Sequence, residues 1–388
     1  MRPVMTAFLL GLAACLGLLA SCAAPKVYLQ FQGVDPAAQT AVMDGLRSAT
    51  PRPAGNVAVE AWPETRGTPG PDVPVLHIAP RAMAPSDRTS PGLRPLPGDF
   101  PSRSAFSTAT AVERWARDDQ GRWAAVPLFW EVWGFSVPTA IARTLSSPDL
   151  EWSRADTLLS GAGLKVILPG SEPSGRQALF GILSASVGAV DAVRTMESGA
   201  SGALDPALRE AFARYAAAPK NRIYYPDTLR FTEADFVSFT QSHLGAPLAF
   251  LEPDQRARTV ETSGLRTFLP LRITAPSGSY AMVGTFLAVY LTGPASSTSR
   301  AEAVLAVLVS PDFQKRVSIR TGYMPANFNA PVLEPVNAAI VRMALQAQVV
   351  LGVTPRPADE PGVKALDDSL DAIRKAPDQW QTLLPGGR

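Results

Sequence analysis

The chain has 388 residues, with 36 Lys and Arg against 34 Asp and Glu, two His and two Cys. This near-neutral balance gives no excess of positive charge of the kind that is typical of nucleic-acid-binding proteins. The length favours two domains. Both Cys, Cys15 and Cys22, lie near the amino terminus, so the rest of the chain can form neither a disulfide nor a thiolate metal site. With His77 and His243 as the only His, we expect no metal and no cofactor.

The amino-terminal segment 1–21 has the pattern of a secretory signal peptide. Arg2 precedes an apolar run over residues 4–20, as in leaders that are removed after export. The run ends in Leu19-Ala20-Ser21-Cys22, which resembles the lipobox of bacterial lipoproteins. The resemblance implies cleavage before Cys22, acylation of its thiol (palmitate) and a membrane-anchored domain outside the cytoplasm, on the periplasmic side or at the cell surface. The alternative is an ordinary leader with an incidental Cys.

Three strands and a helix are predicted next. Apolar residues alternate over residues 26–32, which predicts a strand. Asp35-Pro36 supplies a helix N-cap and a proline in the first turn. Two further strands are predicted over 56–62 and 73–79. This order with short connections favours a parallel α/β sheet.

The later elements follow a polar, proline-rich loop over residues 81–101. Helices are predicted over 108–116, 177–190, 205–217, 233–242, 299–309, 311–321, 330–350 and 363–375. Strands are predicted over 125–133, 164–168, 247–251, 267–274 and 284–291. Thr232 with Asp235 has the spacing of a capping box. Arg176, at a predicted helix start, is expected to be solvated.

Two segments carry more specific motifs. Residues 121–142 read GRWAAVPLFWEVWGFSVPTAIA, and residues 301–327 read AEAVLAVLVSPDFQKRVSIRTGYMPAN. They resemble the extracytoplasmic solute-binding proteins of ABC importers, in the group related to maltose- and oligosaccharide-binding proteins. The second segment matches a Ser-Pro-x-x-Gln helix and a Gly-Tyr-x-Pro crossover of that group at Ser310, Pro311, Gln314, Gly322, Tyr323 and Pro325. Val137 and Pro138 replace the Tyr-Asn pair of relatives, a departure that bears on the ligand more than on the fold.

The resemblance implies an α/β, two-lobed periplasmic-binding-protein-like fold with three inter-lobe crossings, near Phe135, Leu265 and Gly322. Lobe 1 would comprise residues 26–135 plus 265–322, and lobe 2 residues 136–264 plus 323–388. The implied function is that of the substrate-binding component of an ABC transporter. Such a protein captures a small solute by hinge closure and delivers it to a membrane permease. It is a binding protein rather than an enzyme, and we expect a monomer.

Most candidate ligand-binding residues are taken from the ends of predicted strands, because ligands of open α/β sheets bind beyond the carboxyl ends of the strands. Tyr280 lies instead in a Gly/Ser-rich loop, and Tyr323 lies at the third predicted crossing. Aromatic rings offer flat apolar faces to sugars, and carboxylates accept hydrogen bonds from hydroxyls, so a carbohydrate is the expected solute. The predicted residues are Trp62, Glu64, Trp130, Glu131, Trp133, Glu252, Tyr280 and Tyr323. The alternatives are packing at the lobe interface for Trp130 and Trp133, packing at the hinge for Tyr323, and a helix cap or surface ion pair for Glu252.

Two other functions stay open at this point. In a lipoprotein enzyme, Glu131 and Glu252 would be a glycosidase pair on opposite sides of the scissile bond. In the second alternative, the protein keeps the fold but has lost ligand binding, and it serves as an interaction or scaffold lipoprotein. The proline-rich stretch between Pro51 and Pro101 would then fill the cleft.

Overall fold

The computed structural model describes residues 26–49, 57–62, 70, 73–80, 93–96, 99–102, 106–118, 120–145, 149–197, 205–261, 264–294, 298–330, 335–352 and 361–384. The predicted signal peptide, Cys22, Glu64 and most of the proline-rich loop lie outside these residues. Among the helices that the structure describes, none is both long and apolar enough to cross a bilayer.

The described residues form strands and helices in alternation along much of the chain. The strands are β1 Lys26–Phe31, β2 Ala58–Ala61, β3 Val75–Pro80, β4 Val126–Pro138, β5 Leu150–Glu151, β6 Lys165–Ile167, β7 Leu248–Pro253, β8 Arg266–Thr274, β9 Tyr280–Thr292, β10 Met324–Pro325 and β11 Val349–Gly352. The α-helices are α1 Pro36–Arg47, α2 Thr110–Ala116, α3 Thr139–Ala142, α4 Trp152–Gly161, α5 Pro173–Ser186, α6 Val190–Glu197, α7 Pro206–Ala217, α8 Glu233–Ser242, α9 Asp254–Glu261, α10 Thr298–Leu308, α11 Pro311–Thr321, α12 Pro335–Gln346 and α13 Pro361–Lys375.

Local signals correctly predict several of these elements. β1 buries Val27 and Leu29 completely, which confirms the alternation predicted for this strand. The side chain of Asp35 accepts a hydrogen bond from the Ala37 N–H and caps α1. The capping box of Thr232 and Asp235 is present at the start of α8. These signals act within a few residues, so they need no tertiary context.

The predicted helix over residues 330–350 is wrong at its carboxyl end. α12 stops at Gln346, and the chain continues as β11. β11 pairs in parallel with β9, from Val349 opposite Ala281 to Gly352 opposite Gly284. A short apolar run is compatible with either a buried strand or a helix turn, and the pairing with β9 decides the outcome.

The strands form a mixed sheet in the order β2-β1-β3-β9-β8-β4-β7-β6. β1 pairs in parallel with both β2 and β3, which confirms the parallel arrangement predicted for this part. β4 and β9 run antiparallel to each other. The first part of β4 pairs with β9, whereas residues 133–138 pair with β7 and β8.

Two large apolar cores place most of the described residues in one of two lobes, and residues 257, 268 and 282 of the second lobe pack against the first core where the lobes meet. The first core includes Val27, Ile78, Val132, Phe286 and Phe313. The second includes Trp133, Phe135, Leu179, Leu251 and Leu366. Lobe 1 denotes residues 26–132 and 284–347 below, and lobe 2 denotes residues 133–283 and 349–384.

The three crossings between the lobes lie side by side. Val132 of β4 pairs with Gly284 of β9, and Gly284 pairs with Gly352 of β11. Val132 and residues 281–284 and 349–352 are called the hinge ribbon. Because its strands are hydrogen-bonded neighbours, the chain passes from one lobe to the other at a single narrow place.

The second and third crossings differ from the positions predicted near Leu265 and Gly322. β8 follows Leu265 but contributes Leu269 and Leu271 to the second core, because it pairs with the lobe 2 half of β4. Met324 follows Gly322 but belongs to the first core, because β10 pairs with the lobe 1 half of β4. The first crossing was predicted near Phe135, and the change of core falls between residues 132 and 133.

A buried ion pair attaches the last helix to lobe 2. Arg176 is 5% exposed, so the expectation of a solvated side chain is wrong. Its Nε and Nη2 donate to the carboxylate of Asp367 in α13 at 3.2 and 2.6 Å. A further N–H of Arg176 donates to the backbone carbonyl of Ser171. The guanidinium therefore connects α13 with the loop that follows β6.

We predict that Arg176→Met lowers the free energy of unfolding by about 3–5 kcal/mol, because it leaves Asp367 as a buried charge without its partner. Urea denaturation followed by circular dichroism measures the change. Arg214→Met, which removes the exposed pair with Glu210, is the matched control and changes the unfolding midpoint little. Equal losses in the two variants would contradict the prediction.

Candidate ligand-binding site

The carboxyl ends of parallel strands from both lobes converge on the first crossing. β3 ends at Pro80, which pairs with Leu287 of β9, close to the hinge ribbon. β7 ends at Pro253, which pairs with Trp133 of β4. Because ligands of α/β sheets bind beyond this edge, the junction of the lobes is the candidate site.

Tyr323 and Glu131 are neighbours at this junction. β10 pairs with β4 through Met324 opposite Trp130, so the preceding residue, Tyr323, falls beside Glu131. The Tyr323 ring is half-buried and contacts Phe129, with ring centroids 6.3 Å apart. The structure therefore brings together two of the residues predicted to bind ligand.

The surroundings of Tyr323 are acidic. Burial raises the pKa of the Tyr323 hydroxyl above its ordinary value, and the negative charges of Glu131, Asp35 and Asp254 raise the pKa further. Asp35 is the exposed cap of α1, and Asp254 begins α9. The junction thus combines an aromatic ring with the carboxylates of Glu131 and Asp35 from lobe 1, groups that suit a ligand rich in hydroxyls, whereas the lobe 2 carboxylate of Asp254 is buried.

Lobe 2 contributes two residues that the sequence analysis did not single out, Asp254 and Gln255. Asp254 is 1% exposed, and its Oδ1 accepts a hydrogen bond from the Val132 N–H at 2.8 Å. The Nε2 of Gln255 donates to the carbonyl of Thr321 in lobe 1 at 2.8 Å. The signal that could have found them is their position directly after β7, two and three residues beyond Glu252.

Trp62 lies at the same edge of lobe 1 but farther along it. Its ring is half-buried and meets Tyr28 edge-on, with centroids 5.1 Å apart. Trp62 follows β2, and Glu131 lies in β4, paired with β9. Counting across β2, β1, β3, β9 and β4 gives four strand spacings, roughly 19 Å. Trp62 and Glu131 therefore do not form one compact cluster.

Trp130 and Trp133 lie inside the two cores. Trp130 is 1% exposed, donates its indole N–H to the Pro325 carbonyl at 2.9 Å, and stacks on Phe286 with centroids 5.7 Å apart. Trp133 is 3% exposed and belongs to the second core. Their burial favours the packing alternative over ligand contact.

Glu252 is a buried carboxyl of lobe 2, with 0% of its surface exposed. Burial raises its pKa to about 7, against the opposing effects of the positive charges of Arg256 and Arg266 and of the Ser136 hydroxyl. Arg266 is itself buried and places its guanidinium 3.6 Å from the centroid of the Phe250 ring. This burial does not favour direct contact between Glu252 and a ligand.

Tyr280 lies at the hinge rather than beside Tyr323. It begins β9 on the lobe 2 side of the hinge ribbon, and its carbonyl accepts a hydrogen bond from the Gln348 N–H at 2.9 Å. The guanidinium carbon of Arg272 lies 5.0 Å from the centroid of its ring. Tyr280 is therefore placed where the second and third crossings meet.

His77 is buried, as expected, with 7% of its surface exposed. Its Nε2 lies 2.8 Å from the Thr292 hydroxyl, and its ring stacks on Tyr290 with centroids 4.8 Å apart. Within the described part of the chain, no three His, Cys, Asp or Glu residues form a group that could hold a metal ion.

We predict that Glu252→Gln removes part of the pH dependence of stability. The folded protein keeps a proton on Glu252 that the unfolded chain loses above about pH 4.5. The free energy of unfolding therefore falls as pH rises from about 4.5 to about 7, by up to about 3 kcal/mol for this group. The measurement is the melting temperature between pH 4 and pH 8. Glu210→Gln, at an exposed position, should keep the wild-type profile, and a wild-type profile in Glu252→Gln would refute the prediction.

Searches against protein-family models and curated proteins give no match, whereas solved structures match most of the chain. The bacterial solute receptor AcbH, described as having an exclusive preference for β-D-galactopyranose, is 13% identical, with a TM-score of 0.72 over 93% of this chain and 97% of its own. Maltose-bound MalE3 of T. maritima is 13% identical, with a TM-score of 0.63 over 92% and 98% of the chains. A chitin oligosaccharide binding protein is 12% identical, with a TM-score of 0.63 over 93% and 95%. The chain therefore has the two-lobed α/β fold of the maltose- and oligosaccharide-binding solute-binding proteins, as predicted.

Proposed function

We propose that this protein is the extracytoplasmic substrate-binding component of an ABC transporter and captures a small solute between its lobes. The observation that carries the proposal is the convergence of strand ends from both lobes on one hinge ribbon. Such an arrangement would let groups from two bodies contact one ligand while the bodies rotate about a common axis. The similar structures are binding proteins, which supports a binding role rather than an enzymatic one.

The proposed solute is a carbohydrate. Tyr323 would supply an aromatic face, and Glu131 and Asp35 would accept hydrogen bonds from hydroxyls. Trp62, roughly 19 Å from Glu131, would supply a second aromatic face to an oligosaccharide that extends along the edge of lobe 1. Glu64, two residues beyond Trp62, is proposed as a further acceptor. The saccharides bound by AcbH and MalE3 support this class of ligand.

The remaining predicted residues receive supporting roles in this proposal. Trp130, Trp133 and Glu252 are buried and would keep each lobe rigid, while Tyr280 would pack at the hinge. Full burial of Glu252 also disfavours its pairing with Glu131 as a glycosidase acid and base, which must both reach the scissile bond.

Capture would proceed by closure of the lobes about the hinge ribbon. A ligand that contacts both lobes binds the closed form more tightly than the open form. It shifts the population only by that difference in affinity. The closed form would then dock on the membrane permease and release the solute. A lipid on Cys22 would keep the protein, as a monomer, at the membrane surface outside the cytoplasm.

We predict that a thermal-shift screen of the domain that follows Cys22 finds a ligand among mono- and oligosaccharides. A ligand at 100 times its dissociation constant stabilises the fold by about 2.7 kcal/mol, which raises the melting temperature measurably. Trp62→Ala should weaken binding of that sugar about tenfold, through loss of an aromatic contact, as measured by calorimetry.

Trp380→Ala is the matched control, because Trp380 is also half-buried but packs against the second core in the carboxyl-terminal turn. It should bind the sugar with wild-type affinity. A screen that also includes polyols, peptides and amino acids and finds no stabilising compound would favour the scaffold alternative. A hit among peptides alone would reject the carbohydrate class and keep the receptor function.

We predict that Cys22 carries the acyl group. In cells fed a clickable palmitate analogue, the wild-type chain and Cys15→Ser should both be labelled, since Cys15 lies within the predicted leader. Cys22→Ser should lose the label. Labelling of Cys22→Ser at the wild-type level would exclude the lipoprotein assignment and leave the ordinary leader.

A further inference from the structure

One edge of β4 changes its partner at the first crossing. β9 and β8 occupy one edge of β4. On the opposite edge, which changes its partner, β10 of lobe 1 pairs with Phe129 and Trp130, and β7 of lobe 2 pairs with residues 133–136. Val132 falls between the two partners. Its N–H would need an acceptor from elsewhere, because a buried backbone donor without a partner is costly.

Asp254 supplies that acceptor. Its buried carboxylate lies 2.8 Å from the Val132 nitrogen, and it is the first residue of α9. The bond fixes the start of α9 against the crossing strand. The next residue, Gln255, is therefore held in a defined position beside the first crossing between the lobes.

Gln255 joins the two lobes through its side chain. α9 is attached to lobe 2 through Arg256, which pairs with Glu233 of α8 and packs on the ring of Phe236, while the neighbouring Ala257 packs against the first core. The Nε2 of Gln255 donates to the carbonyl of Thr321 at 2.8 Å, and the same side chain lies close enough to the Tyr323 hydroxyl to lower its pKa.

Both of these partners belong to lobe 1. Thr321 ends α11, whose Phe313 and Val317 lie in the first core. Tyr323 directly precedes β10, which pairs with the lobe 1 half of β4. Rotation of the lobes away from each other about the hinge ribbon would separate Gln255 from these partners.

We infer that Gln255 is a latch between the lobes, a positioning residue that favours the closed arrangement before any ligand binds. Asp254 holds the start of α9 in position, and the side chain of Gln255 contacts Thr321 and Tyr323 of lobe 1. Loss of the latch should change the ratio of the two lobe arrangements by about fivefold, the effect of one ordinary hydrogen bond. The inference rests on the lobe closure of the proposed function, but it does not depend on the identity of the solute.

The test measures the distance between lobes without ligand, by electron paramagnetic resonance on the full chain in detergent. Cys15 and Cys22 are the only Cys, so replacing both with Ser leaves thiols only where they are introduced. Spin labels at Ser299→Cys in lobe 1 and Arg209→Cys in lobe 2 use exposed positions. Gln255→Ala removes the latch. Gln255→Glu keeps its size but replaces the N–H donor with a negative charge that faces the Thr321 carbonyl.

Both Gln255 variants should populate a second lobe arrangement about fivefold more than the parent, with far-UV circular dichroism unchanged. Gln39→Ala is the matched control, because Gln39 donates to the Val34 carbonyl at 2.9 Å within lobe 1. It should leave the distance distribution unchanged. Parent-like distributions in both Gln255 variants would overturn the inference, and so would an equal change in Gln39→Ala. Because no ligand is present, neither result depends on whether a sugar is the solute.

Discussion

The structure depends on one constraint, the side-by-side pairing of the three crossings at Val132, Gly284 and Gly352. Gly284 is the central member, and a Cβ atom there would lie 2.6 Å from the carbonyl oxygen of Glu131. Only glycine allows the strands to approach so closely without displacing the backbone. Since the three crossings that the structure describes all lie in this ribbon, rotation about it would leave the backbone hydrogen bonds within each lobe in place.

The same constraint explains where the candidate site lies. β4 and β9 are long enough to serve both lobes, so strands on either side of the crossing end close to it. Tyr323, Glu131 and Asp35 come from lobe 1, and Asp254 and Gln255 come from lobe 2. An aromatic ring, carboxylates and an amide thus meet at the junction of the lobes. This is the arrangement that a receptor working by closure requires.

Rigid lobes are the second requirement of such a mechanism, and buried polar groups contribute to them. Arg176 and Asp367 tie α13 to the body of lobe 2, although α13 follows the third crossing. Arg266 donates to the carbonyls of Ser136, Leu244 and Leu248 from within the sheet of lobe 2. Because breaking such buried contacts is costly, each lobe is expected to move as a unit, and in the proposed mechanism the weaker contacts between the lobes would set the balance of open and closed forms.

The sequence by itself determined the elements whose signals are local. The alternation in β1, the Asp35-Pro36 start of α1 and the capping box of α8 depend on neighbours a few residues away. The motif at residues 301–327 predicted the fold class, and two residues singled out in the sequence, Glu131 and Tyr323, lie side by side at the junction of the lobes. Tertiary structure alone decided the rest. It placed the second and third crossings, through the pairing of β8 and β11. It buried Trp130, Trp133 and Glu252, and it brought Asp254 and Gln255 to the junction of the lobes. These outcomes depend on which strands lie beside each other, and residues far apart in the chain decide that.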